Sequence, residues 1–201
     1  MNCSKGFNAS EVSEKIQEMM KESGAHMVGH FHLTSGLHSG HYIQCALMLR
    51  FPEYAAYAGE RLAEKIVSLK PDFILSPALG GLIIGHEVAR ALNVPFLFSE
   101  RQDGKMLLRR FPVPEKKKFV LVEDFVTTGK STRETAQILT DLGAQWVGSA
   151  SIIDRRPSNV EKDLDLTSLW KLSFPVYDPQ KCPLCADKIP LYKPGSRPEK
   201  K

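Results

Sequence analysis

Four short segments are apolar without interruption: DFILSP, VPFLFSE, KFVLVED and WVGSASIID. Between them, GGLIIGHEVARALN and STRETAQILTDLG have the periodicity of helices. A strand that is apolar on successive residues has no wet face. Helices that follow such strands can cover both faces, and this arrangement is a parallel sheet. The predicted fold class is therefore α/β, with a central parallel sheet flanked by helices. Ligands of such sheets bind at the carboxyl ends of the strands. Residues 76–81, 100–105, 123–131 and 154–156 are the candidate segments.

The flanking regions carry their own signals. Val12, Ile16, Met19 and Met20 share one helical face, with Ser10 as the expected N-cap and Gly24 as the stop. VGHFHLTSGLHSGHYIQCALML reads as two extended segments around a Ser-Gly turn. Pro52 opens a helix that runs to about Leu69. The strand signals at Phe98 and Phe119 are separated by a long loop rich in cations, including Arg101, Lys105, Arg109 and Arg110. Loops of that length are often active-site lids. LLRRFPV within it is expected to fold back as a hairpin, and Lys116 to Lys118 to form a solvated turn.

A chain of 201 residues, 25% of them charged, suits one globular domain. The net charge of +4 fits a basic pocket for a small anion and supplies no broad basic face for nucleic acid. No apolar run approaches the ~20 residues needed to span a bilayer. The first residues lack the apolar stretch of a signal peptide. With four cysteines the chain has no disulfide framework, and a cytoplasmic protein is expected.

FVLVEDFVTTGKS ends a strand in two acids and then opens a helix. Its tail resembles a phosphate-binding P-loop, but Asp124 stands where that loop requires its first glycine, which excludes a P-loop kinase. The amides of Thr127, Thr128, Gly129, Lys130 and Ser131 lie at a helix start, where the dipole favours an anion. The carboxylates of Glu123 and Asp124 only accept hydrogen bonds. They suit neutral hydroxyls beside the anion. A ribose 5-phosphate meets both demands, with its cis-diol on the acids and its phosphate in the loop. The plainer reading, solvated acids before a well-capped helix, fits ED alone better than it fits the whole run.

This run closely resembles the phosphoribosyl diphosphate (PRPP) signature of the type I phosphoribosyltransferases. FHLTSGLHSGHYIQC, SASIIDRRP, SERQDGKMLLRR and the tail CPLCADKIPLYKPGSR resemble segments of the orotate phosphoribosyltransferases. The resemblance implies the type I phosphoribosyltransferase fold in a single domain over 1–201. Its small N-terminal hood spans about 1–50 plus the C-terminal tail, and its core about 51–156. It implies PRPP binding by Arg101, Lys105, Glu123, Asp124, Phe125, Val126, Thr127, Thr128, Gly129, Lys130 and Ser131. Orotate contacts fall to Thr127 and Arg155, whose planar fork suits a carboxylate. Lys105, Arg101 and Asp124 are the expected catalytic residues.

The implied reaction joins orotate to PRPP and releases pyrophosphate, in UMP biosynthesis. Mg²⁺ is the implied cofactor, held mainly through PRPP and not by protein ligands. A homodimer with shared active sites is implied as well, with no nucleic-acid or membrane partner. The chain departs from many relatives at Thr34 and Gln102 and has no histidine between Arg101 and Arg110, so more of the lid's work falls to Lys105. Two rival readings keep the fold. A purine phosphoribosyltransferase would change the base pocket, against S-G-x-H-S and Arg155. An RNA-binding regulator would need more positive charge.

Cys182-Pro-Leu-Cys185 has the spacing of half a zinc site. The sequence has no second C-x-x-C; Cys3, Cys45, a histidine or a second chain would have to complete it. The pair is read as reduced thiols in a tail turn. His26, His30, His32, His38 and His41 are read as packing and base-pocket lining.

Overall fold

The computed structural model describes residues 8–112, 115–157 and 164–194. The chain opens with helix α1 (Ala9–Glu22), which buries Val12, Ile16, Met19 and Met20. Asn8 caps it in place of the expected Ser10: the Ser10 amide donates to Asn8 Oδ1 at 3.2 Å. Strands β1 (His26–His32) and β2 (His38–Ile43) follow as an antiparallel pair around the Ser35-Gly36 turn. Gly36 has φ +85°, a conformation that disfavours a side chain. A short helix α2 (Cys45–Leu49), not foreseen in the sequence, leads to α3 (Pro52–Ile66), with Pro52 in its first turn.

The central sheet begins with β3 (Phe73–Pro77), followed by α4 (Gly81–Leu92) and β4 (Phe96–Gln102). Next come β5 (Lys105–Leu107), β6 (Lys118–Val126), α5 (Lys130–Asp141) and β7 (Gln145–Asp154). Strand β8 (Leu166–Lys171) completes it, in the order β5-β4-β3-β6-β7-β8. Every neighbouring pair is parallel except β4 with β5. The sheet therefore continues through β8, past the expected limit of the core at 156.

Adjacent residues of one strand serve opposite faces, which explains the unbroken apolar runs. Ile74, Val120, Val122, Ala150 and Ile152 pack in one core with α1, α3 and α4. Phe73, Leu75, Phe119 and Leu121 form a second core with Ala136 and Leu139 of α5. All nine of these strand residues are essentially without solvent exposure.

A separate sheet has the order β1-β2-β9, where β9 (Val176–Tyr177) comes from the tail. His38 pairs with Tyr177 and Ser39 with Val176. Past a short helix α6 (Pro183–Ala186), the tail returns to β1: the Tyr192 amide donates to the His30 carbonyl at 2.8 Å.

Among the described residues, no helix is long and apolar enough to cross a membrane.

Candidate active site at the carboxyl ends of the sheet

Strand β6 delivers two carboxylates side by side at its carboxyl end. Glu123 is buried, and its Oε1 accepts a 2.6 Å hydrogen bond from the Thr132 hydroxyl on α5. Burial raises its pKa to about 7, with the neighbouring Asp124 adding to the rise against the Thr132 bond. Asp124 is half-buried. Burial raises it to about 6, opposed by backbone amides of Asp124 and Phe125.

The loop after β3 comes very close to this pair. A Cβ on Gly80 would lie 2.7 Å from Asp124 Oδ1, so only glycine lets the two strand ends approach this far. Helix α4 starts at the next residue, Gly81.

Beyond Val126 the chain turns through exposed Thr127 and Thr128 into α5. Gly129 has φ +69°, and this left-handed residue aims the start of the helix. Arg133 closes the turn from the rear by donating to the Thr128 carbonyl at 2.9 Å. Lys130 and Ser131 are exposed in the first turn, where the helix dipole attracts anions, and the Lys130 amide donates to Thr128 Oγ1 at 3.3 Å.

At the end of β7, Arg155 and Arg156 part company. Arg156 is buried and grips Asp154 twice, Nε to Oδ1 and Nη2 to Oδ2, both at 2.9 Å. Burial pushes the Asp154 carboxyl up, but hydrogen bonds from Arg156 hold it below its ordinary value. Asp154 is thus paired with Arg156 and not with its other neighbour. The half-buried Arg155 side chain has no hydrogen-bond or ion-pair partner among the described residues, and burial lowers its pKa.

The long loop does contain a hairpin, but at a different place from the one expected. Asp103 and Gly104, with φ +49° and +82°, form the turn, and β5 pairs back on β4. Of LLRRFPV, Leu107 ends β5, residues 108–112 run on beyond the hairpin, and Val113 lies outside the described residues. Asp-Gly is a strong hairpin signal that the sequence reading passed over. Lys105 is exposed beside the turn. Arg101 is held by α5: its guanidinium donates to Glu134 Oε1 at 3.0 Å and Oε2 at 2.6 Å. Lys116, Lys117 and Lys118, the last opening β6, are exposed, yet two are tethered, with the Lys118 amide donating to Asp72 at 2.8 Å and Lys117 Nζ at 3.4 Å.

The Phosphoribosyl transferase domain family matches residues 53–177. A curated orotate phosphoribosyltransferase of Thermotoga maritima is 46% identical over 183 residues, covering 90% of this chain and 98% of the relative. The chain belongs to the orotate phosphoribosyltransferase family. Another orotate phosphoribosyltransferase, from Carboxydothermus hydrogenoformans, is 42% identical over 90% of this chain and 97% of its own length. The crystal structure of orotate phosphoribosyltransferase from Aeropyrum pernix superposes with a TM-score of 0.68 at 22% identity. It covers 78% of this chain and 93% of that one, a likeness of fold.

Against this family background, the β1-β2-β9 sheet and the tail bring together a further group of side chains. His30, His38, Cys182 and Cys185 converge, with one ligand atom of each lying within 4.8 Å of all the others. The histidines were expected to pack or line the base pocket, and the cysteines to be reduced thiols in a tail turn. His26 and His41 do pack, His41 stacking on Phe174 with ring centroids 4.2 Å apart. The clue in the sequence was the alternation of strand faces, which puts His30 of β1 near His38 of β2. Cys3 lies outside the described residues.

Proposed function

We propose that the chain transfers the 5-phosphoribosyl group of PRPP to N1 of orotate, giving orotidine 5-monophosphate and pyrophosphate in UMP biosynthesis. The observation that carries this reading is the pair of buried Glu123 and half-buried Asp124 ahead of the left-handed Gly129 and the start of α5. The acids accept hydrogen bonds from the ribose hydroxyls. The loop from Phe125 through Val126, Thr127, Thr128, Gly129, Lys130 and Ser131 receives the 5-phosphate on its amides and hydroxyls.

Orotate is an anion, and Arg155 is a half-buried cation without a partner among the described residues. A buried charge of that kind calls for an opposite one. Arg155 takes the orotate carboxylate or the adjacent carbonyl, and Thr127 borders the base. Orotate N1 supplies an electron pair to C1 of the ribose. The C1–O pair leaves with pyrophosphate, which also takes up the N1 proton. Configuration at C1 inverts.

Arg101 and Lys105 stabilise the leaving pyrophosphate as the β4–β5 hairpin closes and keeps water from C1. Asp124 steadies the positive charge that builds near C1. The exposure of Arg101 and Lys105 suits a mobile lid, and a homodimer in which each lid serves its neighbour's site is part of this reading.

Oxygen donors suit Mg²⁺, and Glu123 and Asp124 offer them. Among the described residues no three carboxylates converge, so the oxygens of PRPP would supply most of the shell. When bound, Mg²⁺ offsets the charge of pyrophosphate. Three unpaired cysteines, Cys45, Cys182 and Cys185, suit a reducing cytoplasm.

The test follows the ultraviolet absorbance of orotate with PRPP and Mg²⁺. Wild type consumes orotate, while Lys105→Ala and Asp124→Asn lose about a hundredfold in rate. A wild-type chain that ignores orotate but converts a purine would overturn the assignment of the base.

A further inference from the structure

Beside the β2–β9 pairing, the β1–β2 hairpin and the tail also meet through four side chains of uncommon composition. β1 supplies His30, β2 supplies His38, and the turn at α6 supplies Cys182 and Cys185. The two histidines and Cys182 are buried, and Cys185 lies at the surface. We propose that these residues hold one structural zinc ion, which fastens the tail onto the hood.

The hydrogen bonding of His30 fixes its tautomer. Its Nδ1 lies 2.8 Å from the Ile189 carbonyl, which can only accept, so Nδ1 carries the proton. Nε2 is then a bare lone pair. It faces His38 Nδ1 at 2.9 Å, Cys182 Sγ at 3.5 Å and Cys185 Sγ at 3.7 Å. A fixed outer proton and a free inner lone pair are what a metal-bound histidine requires.

The spacing fits a tetrahedron. Zinc bonds of about 2.3 Å to sulfur and about 2.0 Å to nitrogen put neighbouring S and N ligands about 3.5 Å apart. Three of the four S···N separations are 3.5, 3.7 and 3.4 Å, the last from Cys185 to His38, and the fourth, Cys182 to His38, is within 4.8 Å. The 2.9 Å gap between the imidazoles would open by about 0.4 Å on binding.

Charge and ligand softness agree with the geometry. Two thiolates and two neutral imidazoles balance Zn²⁺, which permits burial. A two-iron cluster with the same ligands would hold the histidines and the cysteines on different irons. Here both sulfurs lie within 3.7 Å of His30 Nε2, so all four ligands address one centre.

The rival is a metal-free pair of thiols beside a histidine–histidine hydrogen bond. Metal analysis of the purified full chain separates the two. We expect about one zinc per chain. After chelation, added Co²⁺ should give the visible bands of a tetrahedral ion and a near-ultraviolet thiolate-to-metal band. Cys182→Ser and Cys185→Ser each lower zinc affinity about a hundredfold or more, while Cys45→Ser retains full zinc content. Chelation also lowers the melting temperature.

Three results would overturn the proposal: wild type isolated without zinc that gives no thiolate band with Co²⁺, a Cys182–Cys185 disulfide in freshly isolated protein, or full zinc content in both serine variants. If the variants fold poorly, the wild-type cobalt titration decides alone. None of these readouts depends on the strand-end site, so the zinc and the transferase assignments stand or fall separately.

Discussion

Arg101 and Glu134 form a two-point ion pair between the β4–β5 hairpin and helix α5, with contacts of 3.0 and 2.6 Å. The pair holds the hairpin's cation on a protein carboxylate. For Arg101 to meet pyrophosphate it must leave Glu134. An exposed pair of this kind is worth at most about 1 kcal/mol, so the restraint on closure is small. Glu134→Gln should therefore tighten pyrophosphate binding by up to about fivefold in calorimetry. Arg101→Ala should cost about 3 kcal/mol at the transition state, roughly a hundredfold in kcat/KM. Unchanged kcat/KM in Arg101→Ala would remove this residue from the site.

Gly80→Ala tests the close approach of two strand ends. Gly80 has φ −55°, so alanine suits the backbone. The obstacle is the Asp124 carboxylate, 2.7 Å from the new Cβ. The variant should fold, displace Asp124 and raise the PRPP KM about tenfold, equivalent to ~1.4 kcal/mol. Steady-state kinetics would detect the change, and a KM equal to that of wild type would contradict it.

The pH dependence of stability follows from Glu123, whose pKa burial raises from 4.5 to about 7. Between these values the folded chain binds more protons at this residue than the unfolded chain does. The associated stability is fully present below pH 4.5 and is lost as pH rises through about 7. The change is about 3 kcal/mol. Urea unfolding at a series of pH values should show this decline in wild type and its absence in Glu123→Gln. PRPP binding should have the opposite slope, since the ionised acid is the better acceptor for ribose hydroxyls.

Two neighbouring arginines should fail in different ways. Arg155→Ala should raise the orotate KM and leave the melting temperature near that of wild type. Arg156→Ala leaves Asp154 buried without its partner and should destabilise the fold by about 3 to 5 kcal/mol. Thermal unfolding together with orotate kinetics distinguishes the two.

The parallel sheet was legible because its strands are buried on both faces, and FVLV shows this in four residues. The placing of the acid pair between a strand end and a helix start was legible because the apolar run, the two acids and the Gly-Lys-Ser helix opening follow one another directly in the chain. The hairpin at Asp103-Gly104 was within reach, since the turn residues are the usual ones, but its strand β5 is only three residues long and carries little pattern. β8 was not read because LTSLWK lacks the apolar continuity of the inner strands and lies at the sheet edge. The His–Cys convergence depends on β2 pairing with a two-residue strand from the tail, and such a short contact leaves no periodic trace. The choice of Arg156 over Arg155 as the partner of Asp154 depends on which side chain turns inward, a matter of local geometry.

The pairing of β2 with β9 also sets an order of events during translation. The strands from β3 to β7 are complete on the ribosome before Val176 is made, so the half that contains the central sheet can condense first. The hairpin near the start of the chain must wait, one edge unmatched, until the late segment emerges to join it.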